Sequence, residues 1–326
     1  FYAKGRRKNL DDGVWWDIYI DPILEYVDSS TVCLERPYDL SHAPPTKTES
    51  LRYTDLILYT GTLLQELGVS TTSMTETESA LLERIESEIH SRFGVQISLS
   101  EMVLDDLARR QVRLPLYRRV IERVNPEVAF LTSSYNGRET FVEACQAEDV
   151  PVVELQHGVI TEYHMGYSFP YDNKNVFPDY FFSFGEYWSE AVNLPLPEEK
   201  VLPVGYPFIE ERVSEYRHHE TKDQVVVISQ PHSANRLSQF ALKLSRSATV
   251  DDDVVYKLHP KEYTDYQERY PHLVTSSVVV SAGELPLYEL LAESKAQIGV
   301  NSTALFEGLR FGLETYVLDE PGAEYM

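Results

Sequence analysis

The chain of 326 residues has only two cysteines and four methionines, and no run of about 18 uncharged apolar residues. The missing run leaves no candidate for a membrane-spanning helix. Cys33 and Cys145 each lie in an apolar stretch, far apart in sequence. They are expected as buried thiols in a reducing, cytoplasmic setting rather than as a bridge or a metal pair. No Gly-x-x-x-x-Gly-Lys and no Gly-x-Gly-x-x-Gly occurs, which removes P-loop ATPase and dinucleotide readings. There is no Gly-x-Ser-x-Gly elbow and no His-x-x-x-His, and neither cysteine has metal-ligand spacing. Positive charge is scarce as well: 29 Lys plus Arg stand against 52 Asp plus Glu, for a net charge of −23. That surface repels phosphate backbones and argues against nucleic-acid binding. The acids are dispersed (Asp11-Asp12, Glu198-Glu199, Asp251-Asp252-Asp253) and Lys is rare, the pattern expected of a protein adapted to high salt. The chain opens on Phe1 with Lys4, Arg6, Arg7 and Lys8 close behind, which reads as a fragment boundary, with further chain expected upstream and after Met326.

What is present is an alternation of short apolar strands and helices. Thr31 to Leu34 reads as a strand, followed by helical spacing from Leu51 to Leu67 that stops at Gly68, and by a Glu-rich helix over 75–93. Ser98 with Glu101 predicts a capping box, and Pro115 predicts a break before a further helix to about Val124. Strands are then expected over 127–131, 151–155, 179–184 and 201–204. A second series follows at 224–229, 254–258, 278–280, 296–300 and 315–318, with helices between. Such alternation predicts an α/β protein with parallel sheets and helices on both faces. The expected organisation is a Rossmann-like domain over 1–205, with a helical insertion at about 51–125, and a second over 206–326, their sheets facing a cleft.

Ligand sites in such folds form at strand carboxyl ends, and four strand exits carry chemistry. Glu154-Leu155-Gln156-His157-Gly158 places an imidazole at a sheet edge, where it can act as acid, base or donor near neutral pH. His164 and Tyr167 continue that loop. Lys257-Leu258-His259-Pro260 ends another strand, and strict alternation would set Lys257 and His259 on one side, suited to a diphosphate leaving group. Gln230-Pro231-His232 repeats the arrangement one unit earlier. Asn301-Ser302-Thr303 opens a helix: Ser302 is a natural N-cap, and the amides behind it form an anion site. Glu307, about one turn further, is placed to meet a ribose diol. Asp251-Asp252-Asp253 contains the Asp-x-Asp of some metal-dependent transferases, but it opens a strand at the opposite edge and reads as a solvated turn. Ser133-Ser134-Tyr135-Asn136-Gly137 reads equally as acceptor contact or as a plain strand–helix loop.

Taken together, Pro151 to Gly158, Gly185-Glu186-Tyr187-Trp188, Lys257 to Pro260 and Asn301 to Glu307 resemble surface-polysaccharide glycosyltransferases of the GT-B fold. The sialyltransferase, polysialyltransferase and Kdo-transferase types are nearest, and the CDP-glycerol glycerophosphotransferases are more distant. The resemblance spans roughly residues 125–320. It implies a metal-independent transferase without a resident cofactor, which moves a sugar from a nucleotide donor, CMP-linked or otherwise, to a surface glycan or lipid-linked acceptor. It implies work at the cytoplasmic face of the membrane. It also implies that His259 contacts the donor phosphate, that Ser302 and Thr303 hold it from the helix end, and that Glu154 is the nearest match to the acidic base. Gln230 and Lys257 complete the nucleotide site, and His157 the catalytic set. Two other enzyme classes fit the same residues: an isomerase of the UDP-GlcNAc 2-epimerase type, whose strand–His–Gly and helix-capped diphosphate sites look similar, and a glycerophosphotransferase. A non-catalytic glycan-binding subunit would keep the site but turn over no nucleotide sugar.

Overall fold

The structure is a computed structural model that describes all residues except 4, 6, 11, 12, 68–71 and 169–173, and the side chain of residue 65. Lys4, Arg6, Asp11, Asp12 and Gly68, singled out above, lie outside the described residues. The chain divides into two compact units, Phe1–Gly205 and Tyr206–Met326.

The first unit is built on seven parallel strands. In chain order these are Tyr2–Ala3, Cys33–Glu35, Leu51–Tyr53, Ala129–Leu131, Val152–Leu155, Tyr180–Ser183 and Val201–Pro203. Numbered in that order, they lie in the sheet as 3-2-1-4-5-6-7. The order reverses between Tyr2–Ala3 and Ala129–Leu131, and this switch point is where the fold opens a crevice at its carboxyl edge. Strands covered on both faces read as largely apolar runs, and all four residues of Val152–Leu155 are buried, Glu154 among them. Leu131, Val142, Cys145 and Val152 are fully inaccessible, and Tyr117 meets Tyr2 through a 2.8 Å hydroxyl contact in the same core. Beyond the first strand, the buried Arg7 donates to Glu35 at 2.5 Å and to Thr48 at 3.0 Å, tying the loop to the end of the neighbouring strand.

The helical region departs from expectation in three places. Leu51–Tyr53 is a strand, and the helix begins only at Asp55, running to Glu66. Leu99–Val124 is one continuous helix with Pro115 inside it. Proline removes one hydrogen bond there, but Ala108, Tyr117 and Ile121 stay buried along the same helix, which packs on Asp55–Glu66 and Glu139–Ala147. That burial on both sides of the proline outweighs the lost bond. Ser98 occupies the N-cap position but makes no capping bond. Glu86 accepts from Leu99 N–H (2.6 Å) and Ser100 N–H (3.2 Å) in its place. The Glu-rich helix Glu76–Phe93 carries the reciprocal Thr75–Glu78 capping box and ends on Gly94 at φ +68°.

The second unit has five parallel strands: Gln224–Ile228, Asp253–Lys257, Val279–Ser281, Ala296–Gly299 and Glu314–Val317, in order 3-2-1-4-5. Its reversal falls between Gln224–Ile228 and Ala296–Gly299. Val227, Leu237, Ala241, Tyr256, Leu273 and Val300 form the fully buried centre. Both units are Rossmann-like, and the pair is a GT-B-like α/β architecture. Among the described residues no helix is long and apolar enough to cross a membrane.

Candidate functional site

In the second unit, the first and fourth strands end in Ser229-Gln230 and Val300-Asn301 on either side of the switch point. Gln230 spans it: its Nε2 donates to Asn301 Oδ1 at 2.8 Å, and its Oε1 accepts from Asn301 N–H at 2.9 Å. Asn301 Nδ2 then donates to Gly322 O at 3.0 Å. Gly322 sits at φ +102°, and a Cβ there would lie 2.6 Å from Asn301 Nδ2, so only glycine admits this approach. The brace fixes the start of helix Thr303–Arg310. Ser302 caps it, accepting from Leu305 N–H at 3.3 Å. The first amides of a helix have no carbonyl one turn back, and they carry the positive end of its dipole. A phosphate can bind there. Glu307 is buried within the same helix, one turn past Thr303.

His259 and Lys257 do not form the expected pair. Lys257 Nζ donates to Ser281 Oγ (3.2 Å), Ala282 O (2.7 Å) and Leu285 O (2.7 Å), which uses all three ammonium protons. Burial pushes this ammonium from 10.5 down to about 8. The strand stops at Lys257, so the alternation on which the pairing rested ends before His259. His259 caps the turn Pro260–Glu262: its Nδ1 accepts from Lys261 N–H at 3.2 Å, which leaves the ring proton on Nε2. Glu262, fully buried, accepts from His259 N–H (2.8 Å) and from the Tyr270 hydroxyl (2.6 Å). Glu262 has a local signal of its own, since His259-Pro-Lys-Glu262 has the spacing of a capping box with histidine in the serine position.

In the first unit, the exits of Ala129–Leu131 and Val152–Leu155 bring Tyr135, Glu154 and His157 together with Tyr167 and His164 from the following loop. Glu154 has no solvent exposure. One oxygen accepts from Ser134 N–H at 3.2 Å, and the other accepts from the Tyr167 hydroxyl. Tyr167 Oη also meets His157 Nδ1 at 3.2 Å, and His157 Nε2 meets the Tyr135 hydroxyl at 3.1 Å. Tyr135 in turn faces His164 Nε2 at 3.4 Å. The Tyr19 hydroxyl fixes the His157 main chain, donating to its carbonyl at 2.7 Å. Desolvation dominates at Glu154 and moves its carboxyl from 4.5 up to about 7, against the opposing pull of Ser134 and Tyr167. Tyr167 is pushed well above the usual phenol value, by burial first and then by the Glu154 charge. Glu154, His157, Tyr135 and Tyr167 each stand out in the sequence, but the hydrogen bonds that join them were not legible there. Their meeting depends on how a loop folds back, which no spacing rule encodes.

The acidic turn at 251–253 lies at the start of its strand, with Asp252 paired to Lys295 at 3.0 Å. Among the described residues, one group could bring three ligand atoms within 4.8 Å: His219, Glu289 and Glu293. Glu293 is already paired with Lys222 at 2.5 Å, which makes this an ion-pair cluster at the surface.

No protein-family model and no curated protein matches the chain. Solved structures do match in fold. The UDP-GlcNAc 2-epimerase of Methanocaldococcus jannaschii superposes with a TM-score of 0.52 at 10% identity, over 92% of this chain and 80% of that one. The UDP-GlcNAc 2-epimerase of Neisseria meningitidis, solved with UDP-GlcNAc bound, gives 0.51 at 11% identity, over 94% and 81%. These comparisons correct the transferase reading: the neighbours are epimerases, not sialyltransferases, polysialyltransferases or Kdo-transferases. The fold that the motifs implied is one these epimerases share, so the motifs alone did not separate the two chemistries. At such identity the likeness is one of fold, and function has to be argued from the site.

Proposed function

We propose that the protein is a nucleotide-sugar epimerase of the UDP-GlcNAc 2-epimerase type. The second unit would hold the nucleotide: its diphosphate at the amides behind Ser302 and Thr303, positioned by the Gln230–Asn301 brace, and its ribose against Glu307. His259, with its proton on Nε2, is a further donor for phosphate oxygen. The bound UDP-GlcNAc of the Neisseria structure is the corresponding ligand class.

The observation that carries the reading is the relay that ends on buried Glu154, whose carboxyl changes charge near neutrality. Inverting a carbon that bears hydrogen requires a proton to leave and another to return on the opposite face, and so needs groups that hold a proton in either of two places. The carbon beside the anomeric centre has no carbonyl next to it. The bonding pair left by its proton must therefore become a C1=C2 bond, as the C1–O bond breaks and its pair departs with the diphosphate. The helix end stabilises that added charge. Reversal on the other face completes the inversion. No acceptor is involved, so the test is incubation with UDP-GlcNAc alone. The proposal expects a second nucleotide sugar, epimeric at C2, in the proton spectrum. Release of UDP without epimer refutes it.

A further inference from the structure

The hydrogen-bonded chain in the first unit has a direction. Gly166 N–H donates to His164 Nδ1 at 3.2 Å, so the His164 ring proton is on Nε2 and points at Tyr135 Oη. Tyr135 then donates to His157 Nε2, which puts the His157 proton on Nδ1, facing Tyr167 Oη. Tyr167 donates to Glu154, whose other oxygen is held by Ser134 N–H. Every donor points inward, toward the carboxylate. The outer end is different in kind: Tyr135 is half-buried while Glu154 and Tyr167 are inaccessible. Gly166 leaves room for the phenol ring, because a Cβ there would lie 2.5 Å from Tyr135 Cδ1. The cations that act on this network are Arg138 and Lys174; burial lowers the pKa of both, and the negative charge of Glu154 opposes that.

We propose that the Tyr135 hydroxyl is the group that exchanges a proton with the sugar, and that His157 and Tyr167 relay it to Glu154. This rests on the epimerase reading above. As the C2–H bond breaks, Tyr135 Oη gains that proton and passes its own to His157 Nε2. His157 gives up its Nδ1 proton to Tyr167, which passes its own to Glu154. Each intermediate group ends with as many protons as it began with, Glu154 becomes a neutral acid, and the negative charge leaves on the diphosphate. The chain now points outward and is set to return a proton: return to the face that lost it restores the substrate, and return after the C1=C2 sugar has turned its other face to Tyr135 gives the epimer. A free phenolate never forms, which suits a Tyr135 hydroxyl whose pKa is raised by burial. Tyr135 is the catalytic group; His157, Tyr167 and Glu154 act through it.

The test is deuterium uptake at C2 of UDP-GlcNAc in D2O. Tyr135→Phe keeps the ring and removes the hydroxyl, and should cut exchange at least about 100-fold, with UDP affinity within twofold of wild type. Gly166→Ala keeps the hydroxyl but displaces the ring, and should cut exchange in the same direction. Wild-type exchange should rise with pH through about 7, as Glu154 ionises and can accept. Glu154→Gln should be slow and lack that rise. Wild-type exchange in Tyr135→Phe, or an unchanged pH profile in Glu154→Gln, overturns the relay and leaves the epimerase reading standing. No exchange in the wild-type protein overturns the epimerase reading itself.

Discussion

Replacing Glu154 by glutamine should change how the stability of the protein depends on pH, separately from any effect on turnover. Glu154 is inaccessible to water and accepts two hydrogen bonds, yet desolvation still lifts its carboxyl from 4.5 to about 7. Between those values the folded chain keeps a proton that the unfolded chain has released, so the free energy of unfolding falls as pH rises through the window. The stabilisation is fully present below pH 4.5 and is lost as pH passes about 7. At about 1.4 kcal/mol per pH unit of displacement, it amounts to on the order of 3 kcal/mol as an upper bound. Glutamine does not titrate. It accepts from only one of Ser134 and Tyr167, because its amide nitrogen must face the other, and this adds a cost of about 1–3 kcal/mol that does not vary with pH. The informative quantity is therefore the slope. Urea unfolding of both proteins at intervals from pH 5 to pH 8 should show the wild type losing stability relative to Glu154→Gln across the series. Asp17, also raised by burial to about 6, contributes equally to both and cancels in the difference. Parallel curves would refute the reasoning, since they would mean that Glu154 ionises in the folded chain as it does in the unfolded one.

Lys257→Met should lower stability by about 1–3 kcal/mol, because it leaves the carbonyls of Ala282 and Leu285 without their donor. UDP affinity by calorimetry should move less than twofold; a large loss of affinity with stability intact would make Lys257 a phosphate ligand after all. Gln230→Ala removes both bonds to Asn301 and should weaken UDP binding by about 1–2 kcal/mol, roughly 5- to 30-fold. Unchanged affinity would mean that the helix start is held without the brace.

The two parallel sheets were legible because strands covered on both faces are short and mostly apolar, as Val225 to Ile228 is throughout and Val152 to Leu155 is apart from Glu154. The strand Tyr2–Ala3, central to its sheet, was not, since two residues carry no periodicity and basic residues follow at once. Pro115 obeys its local rule in costing a hydrogen bond, and the packing of Tyr117 and Ile121 overrides it. Gln230, Ser302, Glu154 and His157 were recognisable because strand exits and helix starts are local signals. What connects them was not. The three acceptors of Lys257 lie 24 to 28 residues away, and Tyr167, 13 positions from Glu154, reaches it from the irregular loop that follows the strand. Side-chain networks of that kind are set by tertiary structure, and the alternation rule that paired Lys257 with His259 was extended two residues past the end of a strand and took no account of the three acceptors that hold the Lys257 ammonium.

The most direct test of the central claim is UDP-GlcNAc incubated with the wild-type protein alone in D2O and followed by NMR. The account predicts a mixture of two C2 epimers, with deuterium at C2 in the product, because the returning proton comes from a relay that has exchanged with solvent. UDP-GlcNAc that keeps its configuration and its C2 hydrogen, under conditions where calorimetry shows it bound, would contradict the account.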